Sequence, residues 1–80
     1  MFVVITQKPR PGVIAQRLAA MARAGGLDTE ISTQYPTPEE SFKGADSCCV
    51  IGGDGTILSC ATMLAKYSVP VFGINLGKLG

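Results

Sequence analysis

Val50-Ile51-Gly52-Gly53-Asp54-Gly55-Thr56-Ile57-Leu58 is where the chain declares its architecture. Ahead of the glycines, Cys48-Cys49-Val50-Ile51 is apolar without alternation, as expected of a strand covered on both faces near the centre of a parallel sheet. Behind them, helical spacing resumes from Thr56 to Tyr67 through Ile57, Leu58, Ala61, Met63, Leu64 and Ala65. The glycines and Asp54 therefore join a buried strand, read as Ala45 to Ile51, to a helix.

Downstream, Ser68 and Pro70 introduce Val71-Phe72-Gly73-Ile74, a second strand of the buried type, followed by the glycine-punctuated loop Asn75-Leu76-Gly77-Lys78-Leu79-Gly80. Upstream, Phe2-Val3-Val4-Ile5 is a first strand, ended by Thr6 to Gly12 with its two prolines. From Val13 to Arg23 the residues Val13, Ile14, Leu18, Met21 and the stem of Arg17 recur at helical spacing and predict the face laid on the sheet, with Gly25-Gly26 closing the helix. Leu27 to Thr33 alternates like a half-covered edge strand, and Tyr35-Pro36-Thr37-Pro38-Glu39-Glu40 opens a helix of one or two turns before Gly44. Strand and helix alternate, so the fold class is α/β: a parallel sheet of about four strands with flanking helices, joined by right-handed crossovers. Without a repeat or linker, residues 1–80 read as one domain.

The composition narrows the function. Hydrophobic residues make up 46%, charged residues 16% and aromatics 6%, with a mean hydropathy of +0.30, which excludes a disordered tail, a coiled coil and a collagen-like repeat. Seven Lys plus Arg against six Asp plus Glu leaves a net charge of +1, too little to draw nucleic acid or an anionic membrane. With no histidine, acid or base chemistry falls to a carboxylate, Lys, Tyr or Cys, and no Cys/His zinc site can be assembled. Cys48, Cys49 and Cys60 are odd in number and lie in apolar surroundings, as small core residues of a reducing compartment, the cytoplasm by default. Phe2 to Ile5 is too short for a secretory or membrane-spanning segment.

The chemistry concentrates on Gly52 to Thr56. Glycines after a buried strand allow positive φ and close ligand approach, and the amides opening the next helix face an anion with the positive end of the helix dipole behind them. Phosphate is the natural guest. A carboxylate there repels phosphate, so Asp54 must have its own chemical role, which is to bind a metal, accept a ribose hydroxyl, or take its proton. The plainer alternative is a tight turn with Asp54 as the helix N-cap, which leaves the three glycines and Thr56 at a ligand-binding sheet edge without a reason. Neither the Walker A loop nor the dinucleotide Gly-x-Gly-x-x-Gly pattern is present. Lys8 and Arg10 share the sheet edge with Asp54 and either meet phosphates or remain solvated, and Lys78 has the same choice. Asn75 is placed to tie its loop to the glycine turn. Met21 and Met63 sit at core spacing.

Gly52-Gly53-Asp54-Gly55-Thr56, followed at the family's spacing by Val71-Phe72-Gly73-Ile74-Asn75-Leu76-Gly77-Lys78-Leu79-Gly80, resembles the amino-terminal part of the NAD kinases. The first motif is shared with diacylglycerol and sphingosine kinases and, in a variant, phosphofructokinases; the second selects NAD kinase. The resemblance is strong from about Asp46 onward. It implies transfer of the terminal phosphoryl group of ATP, or polyphosphate, to the 2'-hydroxyl of the adenosine ribose of NAD, with a divalent metal (Mg or Mn), giving NADP. On this sequence it implies Asp54 as the dinucleotide-contacting general base, and Gly52, Gly53, Gly55 and Thr56 as the phosphate-side turn. The partners implied are small-molecule nucleotides, with a homo-oligomer in the full-length protein and neither nucleic acid nor membrane. Family members are longer two-domain chains with a later Asn-Glu or Asn-Asp motif, so the 80 residues are expected to be an incomplete domain, inactive alone. Ser59 stands where many members carry a basic residue. The alternatives are a diacylglycerol-kinase-type lipid kinase and a non-catalytic nucleotide-binding module.

Overall fold

The sheet has four strands in the order β2-β1-β3-β4, all parallel. A computed structural model describes residues 1–8, 12–32 and 37–76. The strands are β1 (Phe2–Gln7), β2 (Asp28–Ile31), β3 (Ser47–Gly52) and β4 (Val71–Asn75); helices α1 (Val13–Ala24) and α2 (Asp54–Leu64) join β1 to β2 and β3 to β4. Two short 3-10 segments, Glu39–Phe42 and Ala65–Tyr67, complete the described elements. Thr33, Tyr35, Pro36, Arg10 and Lys78, to which sequence expectations attach, lie outside the described residues.

Alternation along each strand sends successive side chains to opposite faces. Val4, Cys48 and Val50 face α2 with Phe42, Cys60, Leu64 and Val69, while Ile5 and Ile51 face α1 with Ala15 and Ala19. Cys48 and Cys49 accordingly point to opposite faces, and β3 is central, flanked by β1 and β4.

Three expectations are corrected. Helix α1 buries Ala15 and Ala19 and half-buries Leu18 and Ala22, whereas Val13 and Met21 are each 70% exposed. Residues 15, 18, 19 and 22 are themselves a helical stripe, and the alanines let the helix lie close to the strands; weighting the larger side chains picked the wrong face. Strand β4, read as buried, is the sheet's edge, with Phe72 63% exposed. Strand β1 runs on through Thr6 and Gln7, because the fully buried Thr6 hydroxyl is paired with Thr37 at 2.6 Å and Thr37 in turn bonds Ser32 at 3.1 Å. That satisfied hydroxyl cluster lets polar residues remain inside the strand end.

Candidate functional site

The strand order locates the site. From β1 the chain passes to β2 on one side, and from β3 it passes to β4 on the other, so a crevice opens outside the carboxyl ends of β1 and β3. The pairing of Gln7 with Ile51 brings the ends of these strands together. Beyond β1, the Gly12 amide donates to Gln7 Oε1 at 2.9 Å and holds the start of α1 against the strand end, while Lys8 is exposed. Beyond β3 lie Gly53 and Asp54, so Lys8 and Asp54 do share this edge.

Helix α2 begins two residues earlier than the apolar spacing suggests, with Asp54 as its first residue. Its first helical bond runs from Ile57 N to Gly53 O at 3.0 Å. The amides of Asp54, Gly55 and Thr56 therefore precede the helical ladder and carry the positive end of the helix dipole. Such a cluster of N–H groups is suited to an anion.

The glycines divide into two kinds. None of Gly52, Gly53 and Gly55 uses positive φ, contrary to expectation; among the described residues positive φ falls on Gly26, Gly44 and Ser68. Gly52 is buried, and a Cβ there would stand 3.0 Å from Thr56 Cβ, so its bareness lets the first turn of α2 settle on β3. Gly73 does the same on β4, where a Cβ would lie 2.9 Å from both Cδ1 and Cγ2 of Ile57. Gly53 and Gly55, by contrast, are exposed, and a Cβ on either would meet none of the described residues within 4 Å. Packing among the described residues does not require these two glycines, and they leave bare, exposed backbone at the start of α2.

Asp54 is not an N-cap. That position belongs to Gly53, and no side chain caps the helix. The Asp54 carboxylate instead accepts a hydrogen bond on Oδ1 from Nδ2 of Asn75, the last residue of β4. The backbone makes this reach possible: Asn75 pairs with Gly52, and the Leu76 amide donates to Gly52 O at 2.9 Å. The expected tie between Asn75 and the glycine turn is thus present, through Asp54. Thr56 is half-buried, with its Cβ and methyl over Gly52.

Burial, reinforced by Cys60 and Cys49, pushes the Cys48 thiol up to about 12, and burial raises Cys49 as well, so neither is a nucleophile. The Tyr67 hydroxyl donates to Glu39 Oε2 at 3.1 Å, which raises its pKa, and Lys66 stands 3.8 Å from Glu39 Oε1 on the surface. Met63 packs against the α2-side core, as its spacing implies. Among the described residues no three His, Cys, Asp or Glu side chains gather to cage a metal, and no helix is long and apolar enough to cross a membrane. Sequence reasoning missed the packing role of Gly73, whose signal was a glycine inside an apolar strand opposite a helix.

Residues 5–80 match the sequence profile of the ATP-NAD kinase N-terminal domain. The chain is 39% identical over 90 aligned positions to an NAD kinase of Chromobacterium violaceum, covering 96% of this chain and 31% of that protein. An NAD kinase of Polaromonas naphthalenivorans is 52% identical over 50 positions, 60% of this chain and 17% of that one. Among solved structures, the crystal structure of an NAD kinase from Archaeoglobus fulgidus in complex with ATP superposes with a TM-score of 0.76 at 29% identity, covering all of this chain and 30% of the other. The chain thus spans about a third of the length of the C. violaceum relative. Parallel sheet, glycine turn and profile agree: the chain belongs to the ATP-NAD kinase family, matching its amino-terminal domain.

Proposed function

We propose that the chain supplies the phosphoryl-transfer edge of an NAD kinase, which moves the terminal phosphoryl group of ATP or polyphosphate to the 2'-hydroxyl of the adenosine ribose of NAD. The observation that carries this reading is the single turn at which α2's leading amides, the open backbone of Gly53 and Gly55, and the Asp54 carboxylate converge beside the β1/β3 crevice. The amides of Asp54, Gly55 and Thr56 hold phosphate oxygens, and the bare glycines admit them without a side chain in the way. Asp54 accepts the proton of the ribose hydroxyl as its oxygen bonds to phosphorus and the bond to the leaving phosphate breaks.

A divalent metal, Mg or Mn, belongs to this reading as charge neutralisation on the phosphates. One exposed carboxylate and no cage among the described residues suit a cation that takes few protein ligands and is carried mainly by the nucleotide's own oxygens. The same reading places the protein in the cytoplasm, with its cysteines reduced, and in a homo-oligomer.

The test is a chimera in which this chain replaces the matching third of the C. violaceum kinase. Formation of NADP from NAD, ATP and Mg²⁺, lost on chelation, is the expected result. A folded chimera that phosphorylates diacylglycerol instead, or binds nucleotides without turnover, contradicts the proposal.

A further inference from the structure

We infer that Asn75 is a positioning residue for Asp54: its side-chain amide holds the carboxylate in one orientation and keeps it off the helix amides that receive phosphate. The inference rests on the reading of Asp54 as the base. Asp54 is exposed and opens a helix whose N-cap, Gly53, has no side chain, so nothing in its own turn fixes the carboxylate. The default for an acidic residue at a helix start is to bond the free amides of the first turn. There it would occupy the donors an incoming phosphate needs and repel the phosphate itself. The structure shows a different arrangement.

Alternation along β4 puts Asn75 on the same face as Val71, which packs in the α2-side core, and Gly73, which lies against Ile57 of α2. The bond between Leu76 N and Gly52 O at 2.9 Å sets the height of Asn75 on that face, level with the turn. From there its Nδ2 donates to Asp54 Oδ1. The polarity is dictated, because a carboxylate only accepts and the NH₂ end of the amide is the group that can face it. Among the described residues Oδ2 has no protein partner, so one oxygen is anchored while the other is left to take a proton. The two sequence motifs meet in this bond, between residues more than 20 apart, and in the backbone bond beside it.

A base displaced by about 1 Å can lose on the order of 100-fold in rate. The experiment measures kcat and KM for ATP and NAD in the chimera with Asn75→Ala, Asp54→Asn and both together, adding Asn75→His to restore an N–H donor. Expected are a kcat loss of about 10- to 100-fold for Asn75→Ala with a raised KM for ATP and an unchanged KM for NAD, recovery with Asn75→His, and no further loss of kcat when Asn75→Ala is added to Asp54→Asn. If Asn75→Ala lowers the thermal midpoint, Asn75→Asp, of the same shape but with an acceptor in place of the donor, gives the same comparison. An unaltered kcat, or an equal loss in both backgrounds, overturns the positioning role while an inactive Asp54→Asn leaves the base in place. An Asp54→Asn enzyme of full rate refutes the base, and the positioning role with it, on the single variant alone.

Discussion

Replacing Gly73 by alanine separates the glycines that pack the fold from the open ones, Gly53 and Gly55. The added methyl would lie 2.9 Å from Ile57 Cδ1, 2.9 Å from Cγ2 and 3.3 Å from Cγ1. Comfortable carbon contacts are about 3.5–4.0 Å, so the overlap is roughly 0.6 Å or more on two atoms at once. Cδ1 can swing aside, but Cγ2 moves only with χ1, which a β-branched residue in a helix holds to one rotamer. Overpacking of this kind costs about 1–3 kcal/mol, and removing a glycine from a strand returns about 0.5–1 kcal/mol. The net loss is therefore up to about 2.5 kcal/mol, which lowers the melting temperature of a domain this size by up to roughly 10–20 °C. Thermal unfolding followed by circular dichroism reads it, together with Ile57→Ala and the double variant. With the Ile57 side chain truncated, Gly73→Ala should be neutral or stabilising. An equal loss in both backgrounds, or a stabilised single variant, would refute the packing explanation.

Gly53→Ala and Gly55→Ala should do the reverse. With none of the described residues within 4 Å of either methyl, melting should hold steady for the first and rise for the second, by up to about 1 kcal/mol of helix propensity, while NADP formation by the chimera falls tenfold or more. Ser68, the described non-glycine residue with positive φ, sits at φ 56°, so Ser68→Gly should raise stability by up to about 1 kcal/mol in a denaturant melt. Cys48 should resist iodoacetamide at pH 8 in the folded chain and react once the chain is unfolded. Its folded value of about 12 lies above the ordinary 9.0, so between those limits the unfolded chain binds fewer protons than the folded one. Its contribution to stability is whole below 9.0 and is lost as pH rises toward about 12, which pH-dependent melts of the chain and of Cys48→Ala resolve.

What was legible in the sequence tracks the physics that each residue type carries. The apolar run into Gly52 reveals a doubly covered strand, and the turn after it marks the sheet edge, because burial on two faces and a glycine break are local signals. The covered face of α1 was not legible by side-chain size, since alanines at residues 15 and 19 bury completely where a helix comes close. Phe42 escaped notice as core because it lies in a single 3-10 turn, too short for periodicity, yet it is fully buried. Strand β4 reads as buried by composition, but edge or centre is a property of neighbours, and no local pattern encodes it. At the candidate site, the glycine turn was visible as the break between a buried strand and a helix. The division of labour among the glycines was not, because it depends on what a methyl would strike: Thr56 at Gly52, Ile57 at Gly73, and none of the described residues at Gly53 and Gly55. The bond from Asn75 to Asp54 requires the β3/β4 register, which brings distant motifs level.

The most direct measurement is kcat for NADP formation by the chimera carrying Asp54→Asn, a substitution that keeps the shape and removes the proton acceptor. A fall of about 100- to 10,000-fold with an unchanged melting temperature is the predicted result. A folded variant that makes NADP at the parent rate would contradict the assignment of Asp54 as the base.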